Sequence, residues 1–144
     1  MDSFDIKIIK ILEQNGRITN SELSERVGLS KTPCQVRVKN LIAQGVIKGF
    51  RAIIDHDALD RNHIAFTEVK LSDTRDAALR AFNKAVMDIR EIEQCHMIAG
   101  QFDYLLKVRT KNIDAYRATL GEKISSLPCV ANTSTHVVME SVKE

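Results

Sequence analysis

Residues Thr19 to Gly45 describe two short helices joined by a tight turn, and no other stretch restricts the fold as much. Thr19 followed by Glu22 has the spacing of a capping box, in which the hydroxyl takes one free helix N–H and the carboxylate another. Ile18 before the cap and Leu23 after it are placed as a hydrophobic staple. Leu23 and Val27 repeat at helical spacing, and Gly28 supplies a left-handed stop. Ser30 is placed to cap a second helix, and Pro33 in its first turn loses no intrahelical bond. Cys34, Val38, Leu41 and Ile42 recur at helical intervals as the buried stripe, and Gly45 ends the helix. Thr32, Gln35, Val36, Lys39 and Asn40 fall on the outward side, with Lys31 at its start and Arg37 at its flank. This is the sequence form of a helix-turn-helix, whose second helix fits the DNA major groove.

Phe4, Ile8, Ile11 and Leu12 predict a preceding helix ended by Gly16, so three helices share a small core. Val46 to Ile54 alternates weakly and contains Lys48-Gly49-Phe50-Arg51, which suits a short β-hairpin wing. Residues 1–54 carry nine Lys and Arg against five Asp and Glu, and residues 55–144 carry twelve against fourteen. Between Lys31 and Arg51 there are five basic residues and no acidic one. A basic helix and wing on a nearly neutral chain is the electrostatic footprint of phosphate contact. Arg37, Lys39 and Lys48 suit phosphates. Gln35, Val36 and Asn40 suit base edges, Val36 through a thymine methyl, with Thr32 beside them and Lys31 suited to guanine.

The chain has 144 residues, enough for a module of about fifty residues and a second of about eighty. No run approaches the roughly 18 apolar residues of a membrane span, and the acidic start Met1-Asp2-Ser3-Phe4-Asp5 has no signal-peptide pattern. Three cysteines, Cys34, Cys95 and Cys129, are an odd number and argue against a disulfide framework. The expected setting is a reducing cytoplasm.

Residues 55–62 are polar and read as a linker. Beyond it, Ile64 to Leu71 is a strand, and Ala78, Phe82, Ala85, Val86 and Ile89 mark an amphipathic helix. Gln94 to Ala99 and Tyr104 to Arg109 are strands around the turn Gly100-Gln101-Phe102-Asp103. Asn112 caps a helix carrying Ile113, Tyr116, Leu120 and Ile124, and Thr133 to Glu140 is a last strand. The order is βαββαβ, the ferredoxin-like arrangement with an antiparallel sheet and both helices on one face. The expected class is α+β: a winged helix-turn-helix over 1–54 and a ferredoxin-like domain over 63–144. The uncovered face carries Ile64, Phe66 and Ile98 beside Glu68, His96 and His136, and suits a symmetric sheet-to-sheet dimer.

These residues resemble the Lrp/AsnC family of leucine-responsive and asparagine regulators across residues 2–143. The resemblance is carried by Asn15-Gly16-Arg17, by Glu22 through Ser30, by Thr32-Pro33-Cys34, by Glu93-Gln94-Cys95-His96, by Gly100 through Lys107, by Ala115-Tyr116-Arg117, by Leu127-Pro128 and by Val137 through Glu140. It implies a DNA-binding domain, and an amino-acid-binding (RAM-type) domain that dimerises and often builds octamers. It also implies an effector held near the turn at Gly100 and Asp103, with Asp103 receiving the ligand ammonium and the Gly100 backbone allowing close approach. Tyr104 is a candidate pocket wall, and Thr133, Ser134 and Thr135 are candidate polar lining. Gln35 and Val36 depart from the leucine and acidic residue that many relatives have there, and Gln101 stands where an acidic residue is frequent. Lys31 and the ending Ser134 to Glu140 resemble regulators of proline catabolism.

Catalysis finds little support. Cys95 and His96 are adjacent on a strand and point to opposite faces, so they do not share a proton. The cysteines and histidines lack metal-ligand spacing, and there is no phosphate-binding glycine loop. No cofactor is expected beyond an amino-acid effector. Two alternatives stay open: a metabolite-sensing module without DNA binding, and a constitutive DNA-organising protein without effector.

Overall fold

The computed structural model describes residues 1–144, which divide into two compact units, Met1–Ile54 and Asp55–Glu144. The first unit is built from α1 (Ser3–Gln14), α2 (Asn20–Val27) and α3 (Lys31–Ala43). Its core is Ile8, Leu23, Val27, Cys34 and Leu41, with Phe4, Leu12, Ile18, Val38 and others packed around them.

The helix ends follow local chemistry, with three corrections to the sequence reading. α1 opens on an unforeseen capping box: Asp2 Oδ1 accepts the N–H groups of Phe4 and Asp5 at 3.0 Å each, and Asp5 Oδ2 accepts the Asp2 N–H at 3.1 Å. It closes at Asn15, whose Oδ1 accepts the Arg17 N–H at 3.1 Å, rather than through Gly16. Gly16 serves a different purpose, because a Cβ there would stand 2.9 Å from Cδ1 of Phe50. At α2 half of the expected box forms. Thr19 Oγ1 accepts the Glu22 N–H at 3.2 Å, but the Glu22 carboxylate turns outward to Arg26 at 2.6 Å. Ser30 precedes α3 in extended conformation and makes no side-chain cap bond. Gly28 and Gly45 are left-handed, with φ of 83° and 72°, as chain reversal after a helix requires.

The expected wing hairpin does not form as a strand pair. Val46 and Ile47 donate to the Leu41 carbonyl at 3.0 and 3.1 Å, and no strand follows before His63. Phe50, Ile53 and Ile54 are exposed, so nothing covers the apolar side of a hairpin here, and two strands alone are marginal in water.

The second unit contains β1 (His63–Leu71), α4 (Asp76–Val86), β2 (Ile92–Met97), β3 (Tyr104–Thr110), α5 (Ile113–Thr119) and β4 (Val130–Val137). The sheet order is β2-β3-β1-β4 and every pair is antiparallel. The last strand lies three residues earlier at each end than expected, because Val130 pairs with Leu71 and Val137 with Ala65. After α5 the chain widens into a π-helical turn over Leu120–Ile124, closed by the Ser125 N–H on the Leu120 carbonyl at 2.8 Å.

Alternation along the strands separates the faces. Ala65, Val69, Leu71, Tyr104, Leu106 and Val108 face the helices and meet Phe82, Val86, Tyr116 and Ile124 in one core. A hydroxyl chain crosses it: the Tyr116 OH lies 2.8 Å from Thr67 Oγ1 and 2.6 Å from Thr135 Oγ1. The register places Ile64, Phe66 and Glu68 on the opposite face, with Leu105 and His96 alongside and His136 across from Phe66. Ile98 lies beyond the end of β2, where its N–H donates to the Asp103 carbonyl. No helix is long and apolar enough to cross a membrane.

Candidate nucleic-acid interface and effector recess

α3 spends Cys34, Leu41 and the half-buried Val38 on the core; Ile42, expected in the same stripe, is exposed, and the rest of the helix faces outward. Lys31, Thr32, Gln35, Lys39 and Asn40 are exposed, as is Lys48 beyond the helix. Val36 keeps 50% of its surface, free for an apolar base contact. Arg37 has a different position from the one expected of a phosphate contact. Its Nη1 donates to Asp2 Oδ2 at 2.7 Å and to Asp5 Oδ1 at 2.8 Å. The guanidinium also lies 5.5 Å from the Phe4 ring centroid. The Asp5 N–H, and less strongly the guanidinium, hold the Asp2 carboxyl below its ordinary value. Asp5 and Arg37 border a groove of about 410 Å³ together with Val36 and Asn40, so the ion pair adjoins the outward face.

The second unit has a recess of about 340 Å³ on its uncovered face, lined by Glu68 and Lys70 from β1, Gln101 and Phe102 from the turn, and Thr133 and Ser134 from β4. The sequence-expected effector residues divide around it. Thr133 and Ser134 line it. Thr135 points the other way, to Tyr116. Tyr104 is also on the helix side, 1% exposed, with its ring centroid 4.2 Å from that of Phe82 and its hydroxyl donating to Asn83 at 2.6 Å. It is core, because β3 alternation fixes its direction. Asp103 is engaged within the chain: Oδ2 accepts the Leu71 N–H at 2.8 Å and lies 3.7 Å from Lys70 Nζ, while the Asp103 N–H donates to the Val69 carbonyl. Gly100 is open, with nothing near the position of an added Cβ, so its space is not used within one chain. Sequence reading missed Lys70. Its signal was the alternation that puts it on the same face as Phe66 and Glu68.

Cys95 packs against the core, and burial pushes its thiol up, away from a reactive thiolate. His96 is on the other face.

A helix-turn-helix with an exposed basic face, followed by a βαββαβ unit with a charged recess, defines a DNA-binding regulator that senses a small molecule. Residues 1–48 match the winged helix-turn-helix DNA-binding family, and residues 64–144 match the Lrp/AsnC ligand binding domain. The chain belongs to the Lrp/AsnC family of transcriptional regulators, and it is a regulator with an amino-acid-binding domain rather than an enzyme.

A proline dehydrogenase transcriptional activator from Rhizobium radiobacter is 62% identical over 144 residues, covering 100% of this chain and 92% of the relative. A leucine-responsive regulatory protein from Escherichia coli (strain K12) is 45% identical, covering 100% of this chain and 88% of its own. A transcriptional regulator from Neisseria meningitidis, solved as its L-Met complex, superposes with a TM-score of 0.92 at 31% identity, covering 100% of this chain and 93% of that one.

Proposed function

We propose that this chain activates transcription of a proline dehydrogenase gene and takes L-proline as its effector in the cytoplasm. The observation that carries this reading is the 62% identity to a proline dehydrogenase transcriptional activator along all 144 residues. A second protein of that description, from Rhodobacter capsulatus, is 49% identical over the same span. The recess supports it chemically. Lys70 and Glu68 bring one cation and one carboxylate to one cavity, as the carboxylate and ammonium of an amino-acid zwitterion require. Asp103 then shapes the recess by tying the turn to β1.

Two copies pair through the part of the uncovered sheet face around Ile64 and Phe66, beside rather than over the recess, and present two α3 helices to major grooves about 34 Å apart or a multiple of it. Higher assembly, up to an octamer, places effector sites between dimers, and the effector acts by binding one assembly state more tightly than another. Lys39 and Lys48 meet phosphates, and Gln35, Val36 and Asn40, with Lys31 and Thr32, meet the groove.

The test is a thermal-shift screen against single amino acids with mass measured in parallel. A ligand that binds only the folded state adds roughly 2.7 kcal/mol at about 100 times its Kd. L-proline should raise the melting temperature and change the mass. A response to leucine or methionine alone would sink the proline assignment, and no response to any amino acid leaves a constitutive DNA-organising protein. For DNA, Lys39→Ala should weaken binding to every duplex and flatten the salt slope by about 0.9. A loss confined to one sequence would remove Lys39 from the phosphate contacts.

A further inference from the structure

Of the five basic residues from Lys31 to Arg51, Arg37 alone has a carboxylate within salt-bridge distance, and it has two. Both come from the N-terminal cap of α1. Capping needs acceptors rather than charge, and asparagine caps as well as aspartate. The reciprocal bonds of the box use Asp2 Oδ1 and Asp5 Oδ2. The other oxygen of each residue, Asp2 Oδ2 and Asp5 Oδ1, is aimed at Arg37. The same guanidinium nitrogen, Nη1, donates to both, in the way it would meet two phosphate oxygens. The arrangement stands at the rim of the groove that Val36 and Asn40 border, so it adjoins the DNA-facing surface rather than the far side of the module.

We propose that Asp2 and Asp5 act as an internal substitute for phosphate, which withholds Arg37 from non-specific DNA. To reach a phosphate, Arg37 must leave two charge-assisted bonds for others of the same kind, so the exchange adds little. Random sequence is therefore held by one cation fewer than the basic face contains, and base contacts make up a larger share of binding to the correct site. Asp2 and Asp5 are specificity residues that need not touch DNA themselves.

The inference rests on α3 as the helix that meets DNA, and the experiment separates the two. Four untagged full-length proteins are compared on a random-sequence duplex across a salt series: wild type, Asp2→Asn/Asp5→Asn, Arg37→Gln, and the triple variant. Asparagine keeps the cap, so the double variant retains α1. Freeing Arg37 in the double variant should tighten binding and steepen the slope of log K against log salt by about 0.9, one phosphate contact. The triple variant should return to the wild-type slope, and Arg37→Gln alone should leave the slope near wild type.

An equal steepening in the double and triple variants would mean a general charge effect and overturn the proposal. So would a slope flattened by Arg37→Gln alone, because Arg37 would then already hold phosphate. If wild type shows no salt-dependent binding, the role of α3 fails and this inference fails with it. Salt-dependent wild-type binding with an unchanged slope in the double variant overturns this inference alone.

Discussion

Phe82→Ala will destabilise the second unit by about 3–5 kcal/mol and leave the melting of the first unit in place. Phe82 is fully buried at the centre of the face where α4 meets the sheet. Its ring lies against Tyr104, which is itself tied to Asn83 on the same helix. Truncation leaves a cavity that neither partner can collapse into, because Tyr104 is held by its hydroxyl and by the β3 register. The first unit has its own core, so the loss is confined by construction. The chain has two tyrosines and no tryptophan, and both tyrosines, Tyr104 and Tyr116, are in the second unit. Tyrosine signals therefore report that unit alone, while far-ultraviolet dichroism follows all helices. The variant should show the tyrosine transition at much lower temperature, with amino-acid-induced stabilisation lost. A tyrosine transition within about 1 kcal/mol of wild type would mean the site repacks, at the mild end of large-to-small changes.

Ile8→Ala will have its effect in the other unit, at about 2–5 kcal/mol. The three-helix core contains five fully packed side chains, and Ile8 is the one α1 contributes. A core of that size rarely supplies more than about 3–5 kcal/mol, so the variant spends most of the module's stability. α3 then loses the platform that fixes its outward face, and DNA binding should fall to the detection limit at ordinary temperature. The tyrosine-reported transition and its response to effector should persist. Retained DNA binding at near wild-type affinity would show that α2 and α3 hold together without α1.

The sequence exposed those parts of the fold that depend on neighbours a few residues away. Gly28 and Gly45 announced their left-handed turns, and the alternation of Ile64, Phe66 and Glu68 told which face the helices leave uncovered. Pairings between distant segments were hidden. Arg37 and Asp5 are 32 residues apart, and nothing local says that a cation on the flank of α3 ends on the cap of α1. Gly16 looked like a helix stop because that is the commoner use of glycine; its real duty, to admit Phe50, needed a contact across the module. Asp103 and Tyr104 were assigned through a motif, but strand direction sends Tyr104 into the core while the Leu71 N–H of β1 holds the Asp103 carboxylate. The weak alternation of Val46 to Ile54 suits a wing, but it does not supply what would cover the apolar side of a strand pair, and none forms.

The hydroxyl chain through Tyr116 sets an order in which these positions can change by descent. Thr67 is fully buried, while Thr135 is at the exposed edge of the sheet. Replacing Tyr116 by phenylalanine first strands the Thr67 hydroxyl away from water, whereas Thr135 is within reach of solvent. Replacing Thr67 by valine first leaves Tyr116 still bonded to Thr135. A lineage leaving this arrangement therefore passes through the valine at position 67 before the phenylalanine at 116, and the reverse route crosses a less stable intermediate.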